Sequence, residues 1–313
     1  MPSLLARFGE DILWMARYLE RAESLARNLD VIETYARDDR GAPDWLPVLE
    51  LYGDGPRFLD SHGEADETSV LRFYVLEPTN PTSISFSVTA ARQNARALRH
   101  LISTEMWTQM NIFHKWMAAL TQRDIRTANV SRVCTDIKLN CQTIEGIAEG
   151  TLTRGEAWNF YQLGKYLERA DQTTRHLDIA YERLSDGEED AMISVQWNTL
   201  LRSVAGYHAY RRKHPAGSHG RDVAAFLLLD REFARAVALC VDRVTACLDF
   251  LRRQHGGRPP PALEKARREL EFDLTTGLGA RVTPKGLHRL LDDLQIKIGR
   301  LSDQIGNAYF GAD

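Results

Sequence analysis

From Ile12 onward the apolar residues of this chain fall at Ile12, Met15, Leu19, Ala22, Ala26 and Leu29, alternating steps of three and four. That spacing predicts a long helix with one narrow apolar seam, suited to a partner helix in a bundle. The same steps return at Phe160, Leu163, Leu167, Ala170, Thr174 and Leu177. Helical periodicity also predicts helices at about 43–53, 64–77, 82–102, 104–121, 129–149, 191–205, 221–228, 232–255, 262–275 and 284–309. Thr153 with Glu156 three residues later reads as a capping box for the second long helix. Loops are marked by Asp38–Gly41, Pro78–Pro81, Ser185–Gly187, His214–Gly217 and Gly256–Pro261. Ser83–Val88 alternates with period two like a strand, yet it runs straight into the helical pattern of Ala90–Leu101 and is read as a helix start.

The two seams belong to a repeat. Tyr18–Asp30 reads YLERAESLARNLD and Tyr166–Asp178 reads YLERADQTTRHLD, with eight of thirteen positions identical at a separation of 148 residues. Arg17 is answered by Lys165, and Glu23 by Asp171. Further on, Trp45–Leu49 matches Trp197–Leu201 and Phe73–Leu76 can be set against Ala225–Leu228, both at a separation of 152. Beyond about residue 105 the correspondence fades. The expectation is an all-α helical bundle built by tandem duplication, with similar halves at 1–150 and 151–313 packed together as one domain.

Composition narrows the classes. Hydrophobic residues make up 43% and charged residues 27%, ordinary for a globular protein with a sizeable core. A net charge of −3 lacks the basic footprint of a nucleic-acid binder. The longest strongly apolar run, Val223–Leu229, is far short of a membrane span. The N-terminal pattern carries acidic residues and no small-residue cleavage site, so it does not read as a secretion signal. Cys134 and Cys141, like Cys240 and Cys247, are seven apart on predicted helices. That is roughly 10 Å along the axis, too far for a disulfide within one helix. Buried free thiols in a reducing cytoplasm are expected.

The charged residues of the repeat admit three readings. Arg17, Glu20, Arg21 and Glu23, answered by Lys165, Glu168, Arg169 and Asp171, flank the seams. They can form a solvated charge ladder worth a few tenths of a kcal/mol per pair. They can also be buried ion pairs, Glu20 facing Arg169 and Glu168 facing Arg21, where losing one partner costs about 3–5 kcal/mol. Or they can be a carboxylate and arginine site between the halves, binding an amino acid or peptide terminus and serving acid–base chemistry. Retention of residue identity in both copies favours the ion pairs. A di-metal bundle site is not expected, because Glu20-x-x-Glu23 and Glu168-x-x-Asp171 are unaccompanied by any Glu-x-x-His. No metal and no cofactor is expected.

Two other clusters stand out. Pro78–Ile84 can present backbone N–H groups, Asn80 and Ser83 at a helix start, with Arg92 and Arg96 beyond, to a phosphate or carboxylate. The simpler reading is a turn capped by Thr82 or Ser83. His208, His214 and His219 lie among Tyr207, Tyr210 and Arg211–Lys213, but spacings of six and five do not stack on one helical face. A polar, partly mobile loop with a basic patch is expected there.

The chain resembles the bacterial alpha-E family, a helical domain of unknown function. The likeness rests on Leu13–Glu23, Pro78–Ile84, Ala91–Arg96, Glu105–Trp107, Leu163–Asp171, Tyr210–Arg212 and Phe226–Asp230, in that order. One departure is Phe233-Ala-Arg-Ala236, where the family pattern has Phe-Pro-Arg-Ser. The resemblance implies an all-helical protein found beside, or fused to, circularly permuted ATP-grasp ligase-like proteins. Transglutaminase-like proteins, and sometimes a proteasome-like peptidase, accompany them. It implies a system that makes or modifies peptides, in which this chain is a non-catalytic scaffold for the ligase or peptide, or else an enzyme of that system.

Overall fold

The computed structural model describes residues 4–38, 45–184, 191–257, 260–275 and 286–311, and every regular element among them is helical. In chain order these are α1 (Ala6–Asp38), α2 (Leu46–Tyr52), α3 (Gly55–His62), α4 (Glu67–Leu71) continued by a π-helical turn (Arg72–Leu76), α5 (Ile84–Ala97), α6 (Thr104–Ala119) and α7 (Thr127–Thr151). Then follow α8 (Glu156–Leu184), α9 (Ala191–Ser203), α10 (Tyr207–Lys213), α11 (Gly220–Leu229), α12 (Val237–Gln254), α13 (Pro261–Thr275) and α14 (Leu287–Tyr309). The expected loop at 185–187, the 39–41 and 258–259 parts of two others, and the first residues of the last expected helix lie outside the described residues.

The chain divides into two compact units: Trp14–Thr153, and Met1–Leu13 together with Arg154–Asp313. In the 14–153 unit α5 packs on the π turn and on α6, and α6 on α7. α1 joins them through an edge-on contact of Tyr18 with Phe86, ring centroids 6.1 Å apart. In the other unit α8 is central, packed against α12, α14, α9 and α11, while α13 closes on α12 and α14. The seam residues predicted on α1 and on α8 are all buried, Leu19 and Leu167 included.

Ser83 is the cap of α5. Its Oγ accepts the N–H of Phe86 at 3.0 Å and donates to the carbonyl of Glu77 at 2.6 Å, so the alternating serine stretch is a helix start. The expected helix at 64–77 forms differently. Asp66 caps α4 by accepting from the N–H of Ser69 at 2.7 Å, and the chain then widens into the π turn. Phe73, Tyr74 and Val75 are consecutive and all buried, which a regular helix step would spread around the axis and a π turn accommodates.

Three expectations are corrected. Thr153 does not cap α8, which begins three residues later; Glu156 instead accepts the N–H of Leu4 at 2.7 Å and lies 3.4 Å from His255, so its carboxylate is engaged away from Thr153. The helix expected from 232 starts at Val237, because Asp230 Oδ1 accepts the N–H groups of both Glu232 and Phe233 at 2.8 Å and holds a turn. The loop expected at Tyr207–Lys213 is helix α10, anchored by the fully buried ring of Tyr210.

α3 and α10, neither of them foreseen, correspond in sequence at a separation of 152 residues. Each follows a left-handed residue, Gly53 at φ 64° and Ala205 at φ 57°. Phe58 and Tyr210, 152 apart, are both fully buried. His62 stacks on Phe58 at 5.1 Å and His214 stacks on Tyr210 at 4.4 Å. Phe58 then meets Phe73 edge-on at 5.2 Å, and Tyr210 meets Phe226 edge-on at 5.4 Å.

Candidate functional site

The charged repeat takes the same local form on α1 and α8. Arg21 lies over the ring of Tyr18 and Arg169 over that of Tyr166, each 5.8 Å from the centroid. Arg17 covers Trp14 at 4.7 Å, and Lys165 covers Tyr166 at 4.9 Å. These placements let aliphatic stems pack on rings while the cations meet the ring faces. Glu23 accepts from Arg27 at 2.6 Å and from Gln142 of α7 at 3.2 Å. Asp171 accepts from Arg175 at 2.8 Å. Glu20 is buried and Glu168 wholly so, the latter accepting from Gln172 at 3.2 Å. A solvated ladder is therefore not what the repeat forms at its glutamates.

The final aspartate of each copy has a further role that the sequence reading missed. Asp30 accepts from Ser131 and from Lys138 of α7, both at 2.6 Å. Asp178 accepts from His288 of α14 at 2.7 Å and from Gln295 at 3.5 Å. In both units the partners are seven residues apart, on one face of the last long helix. The signal was present: Ser131-Arg-Val-Cys-Thr-Asp136 and His288-Arg-Leu-Leu-Asp-Asp293 align at a separation of 157, beyond where the earlier register fades.

Asp178, His288 and Asp292 are the one group among the described residues whose ligand atoms lie close enough to hold a metal ion. Their geometry argues for hydrogen bonding instead. Nδ1 of His288 is hydrogen-bonded to Asp178 at 2.7 Å, while Nε2 lies 3.6 Å from Asp292, beyond hydrogen-bond distance, and the histidine side chain is 61% exposed.

The turn at Pro78–Ile84 is saturated from within. Asn80 Nδ2 donates to the Phe73 carbonyl at 2.9 Å and its Oδ1 accepts the N–H of Thr82 at 3.0 Å. Arg92 is drawn to Asn111 of α6 at 2.8 Å, and Arg96 is exposed. Asn80 and Ser83 therefore shape the turn, and the two arginines are not gathered over it.

His176 is buried and was not singled out in sequence. Its Nδ1–H donates to the Gln172 carbonyl at 2.6 Å, leaving Nε2 as a buried acceptor with no hydrogen-bond partner. Burial, with a smaller push from Arg235, lowers its pKa to about 4, so it is neutral at neutral pH. The four cysteines are free and buried, and burial pushes the Cys247 thiol up to about 12. Thiols so placed are poor nucleophiles.

A family model described as a predicted alpha-helical domain with a conserved ER motif matches residues 4–310. The chain belongs to the alpha-E family. Glu20-Arg21 and Glu168-Arg169 are dipeptides of that kind. Curated relatives include uncharacterized proteins of Mycobacterium bovis and Mycobacterium tuberculosis, each 25% identical over 92% of this chain and 36% of the relative. The alpha-E chain thus spans about a third of the length of the curated relatives it matches. No solved structure matches it. Among the described residues no helix is long and apolar enough to cross a membrane.

Proposed function

We propose that this alpha-E protein is a helical scaffold or partner of an ATP-grasp-type ligase in a bacterial peptide synthesis or modification system. The observation that carries the reading is the coverage of its relatives: 92% of the chain aligns to only 36% of their length. In those proteins a region like this one is joined to a larger remainder, which favours a role exercised together with a second module. The class of partner rests on the family resemblance. A transglutaminase-like protein is a further candidate partner, and the work is cytoplasmic, without cofactor or nucleic acid.

The local geometry supports a platform. Asp171 and Glu168 are held by neighbours on their own helices, while Glu23, Asp30 and Asp178 tie long helices together. A second reading, an enzyme of the same system, has one observation in its favour. Glu168 is a fully buried carboxylate, a residue type that serves as acid or base in active sites.

Co-expression with the neighbouring ligase-like protein, affinity purification and mass spectrometry of the eluate test the first reading. The ligase is expected at constant stoichiometry. Its absence, with the chain folded and turning over peptide alone, would establish the second.

A further inference from the structure

α5 and the turn that ends it carry Arg92, Arg96 and Arg99 at steps of four and three. That spacing sets three guanidiniums along one side of the chain over roughly 10 Å. Two of them converge on one ring of α6: Arg92 lies 5.6 Å and Arg99 5.3 Å from the centroid of Trp107. Asn111 fixes the first, its Oδ1 accepting from Arg92 Nε at 2.8 Å while its Nδ2 donates to the Trp107 carbonyl at 2.7 Å. Among the described residues none of the three arginines forms an ion pair, and Arg96 and Arg99 stand exposed. The Arg92 charge is felt nearby: burial, and then this cation, hold the His114 imidazole below its ordinary value.

The corresponding place in the other unit is built differently. α5 and α12 correspond at a separation of 153, where the buried Ile84, Val88 and Ala91 are answered by the buried Val237, Val241 and Val244. α6 and α13 correspond at 160, where Met106 and Met110 are answered by Ala266 and Leu270. On these registers the bond from Arg92 to Asn111 is answered by Thr245 donating to Glu271 at 2.6 Å. Arg267, in the place of Trp107, pairs with Glu264 and Glu271, both at 2.6 Å. Arg252, in the place of Arg99, pairs at 3.3 Å with Asp249, in the place of Arg96. One frame is thus self-neutralised in one unit and left positive in the other. The open cleft of about 360 Å³ beside α10 and α11, at Ala209, 152 residues after Arg57, is no such positive site. Its two cations are matched by two carboxylates, with Lys213 shared by Asp230 and Glu232.

Guanidinium groups held against an indole are already ordered, and they bind carboxylates through paired N–H donors. A single phosphate would reach only part of a row this long. An extended segment advances roughly 3.3 Å per residue and can set a carboxylate against each arginine. The Trp107 ring is covered by Arg92 and Arg99, so it is no platform for stacking bases. The net charge of −3 adds no wider basic footprint for nucleic acid.

We propose that this side of α5 and α6 docks an extended acidic segment of a partner protein, its carboxylates meeting Arg92, Arg96 and Arg99. The proposal rests on reading the chain as a partner protein and names the chemistry of one contact. Its test needs only the purified full-length chain and synthetic probes, so it can fail while ligase co-purification succeeds, and the reverse.

The probes are an acetylated, amidated octapeptide of alternating glutamate and serine, its glutamine counterpart, and an oligothymidylate of the same length. Each is titrated calorimetrically at about 0.15 M salt, where exposed charges are screened beyond roughly 8 Å. Melting curves are recorded for every variant. The glutamate peptide is expected to bind at least ten-fold more tightly than either other probe. The double variant Arg92→Gln with Arg99→Gln should lose at least ten-fold in affinity. Arg96→Gln, which removes charge without removing packing, should lose several-fold. Asn111→Glu, which supplies the internal anion of the other unit, should also weaken binding, and Arg268→Gln, in that unit, should bind as wild type. Equal binding of the two peptides, tighter binding of the oligothymidylate, undiminished affinity in Arg96→Gln or Asn111→Glu with an unchanged melting curve, or no binding of the glutamate peptide at millimolar concentration would overturn the proposal.

Discussion

The long helices α1 and α8 share eight of thirteen residues in the repeat, but their surroundings hold the terminal aspartate with different firmness. On α1 the terminal Asp30 meets an ammonium and a hydroxyl at 2.6 Å, with Asp30 and Lys138 side chains only 17% and 16% exposed. On α8 the equivalent Asp178 meets a His288 side chain that is 61% exposed, and Gln295 at the limit of hydrogen bonding. The same order holds around the short helices. Arg57 bonds across its turn in the first unit, and Ala209 leaves a cleft in the second. Each difference is local, to one tie and one short helix in each unit. These differences fall at positions that correspond in sequence at separations of 148, 152 and 157 residues.

The strongest way to break the comparison is at the buried rings. Phe58→Ala and Tyr210→Ala should each cost about 3–5 kcal/mol by chemical denaturation, since both rings are fully buried and anchor equivalent short helices. A large loss at one and none at the other would remove the equivalence.

A second difference is titratable. His176 occupies the place of Asn28 at a separation of 148, and burial lowers its pKa to about 4 from 6.5. With a depressed native pKa the unfolded state binds more protons between those values. The contribution is thus complete above pH 6.5 and is lost as pH falls toward 4, by about 3 kcal/mol in all. His176→Asn should flatten this part of the stability–pH curve; an unchanged slope would contradict the assignment.

A Cβ added to Gly220 would stand 2.6 Å from Cζ2 of the buried Trp197. The residue 152 before Gly220 is Thr68, and the partner of Trp197 is Trp45, so the first unit carries a side chain there and the second does not. Gly220→Ala should cost about 1–3 kcal/mol by overpacking, read from the denaturation midpoint. The tethers give smaller effects. Asp30→Asn, which leaves Lys138 without its anion, should cost about 1–2 kcal/mol, and Asp178→Asn less than about 1. The reverse order would mean that the firmness of the two ties has been misjudged.

How much of this was legible in the sequence depended on length and repetition. The seams of α1 and α8 were legible because many residues carried one period, and the Ser83 cap because a small polar residue preceded an apolar run. α3 and α10, of eight and seven residues, are too short for periodicity, and each depends on a single buried ring. The π turn was hidden because its signal is three adjacent buried residues, which no helical period encodes. The Asp30 and Asp178 ties join residues more than 100 apart and need the packing of α7 and α14 before they exist. The cleft was missed because it is marked by Ala209, the absence of a side chain, and because its cations read as a mobile loop.

The central claim is that the glutamate–arginine repeat builds a platform and does not itself perform chemistry. Glu168→Gln tests it most directly, with melting temperature, ligase co-purification and modified-peptide yield measured on the same preparation. Under the ion-pair reading of the repeat, Gln keeps the shape of Glu but leaves a buried cation without its anion, so the variant should melt lower and co-purification should fall in step with it. An unchanged melting temperature and an intact complex, with the modified peptide gone, would contradict the account.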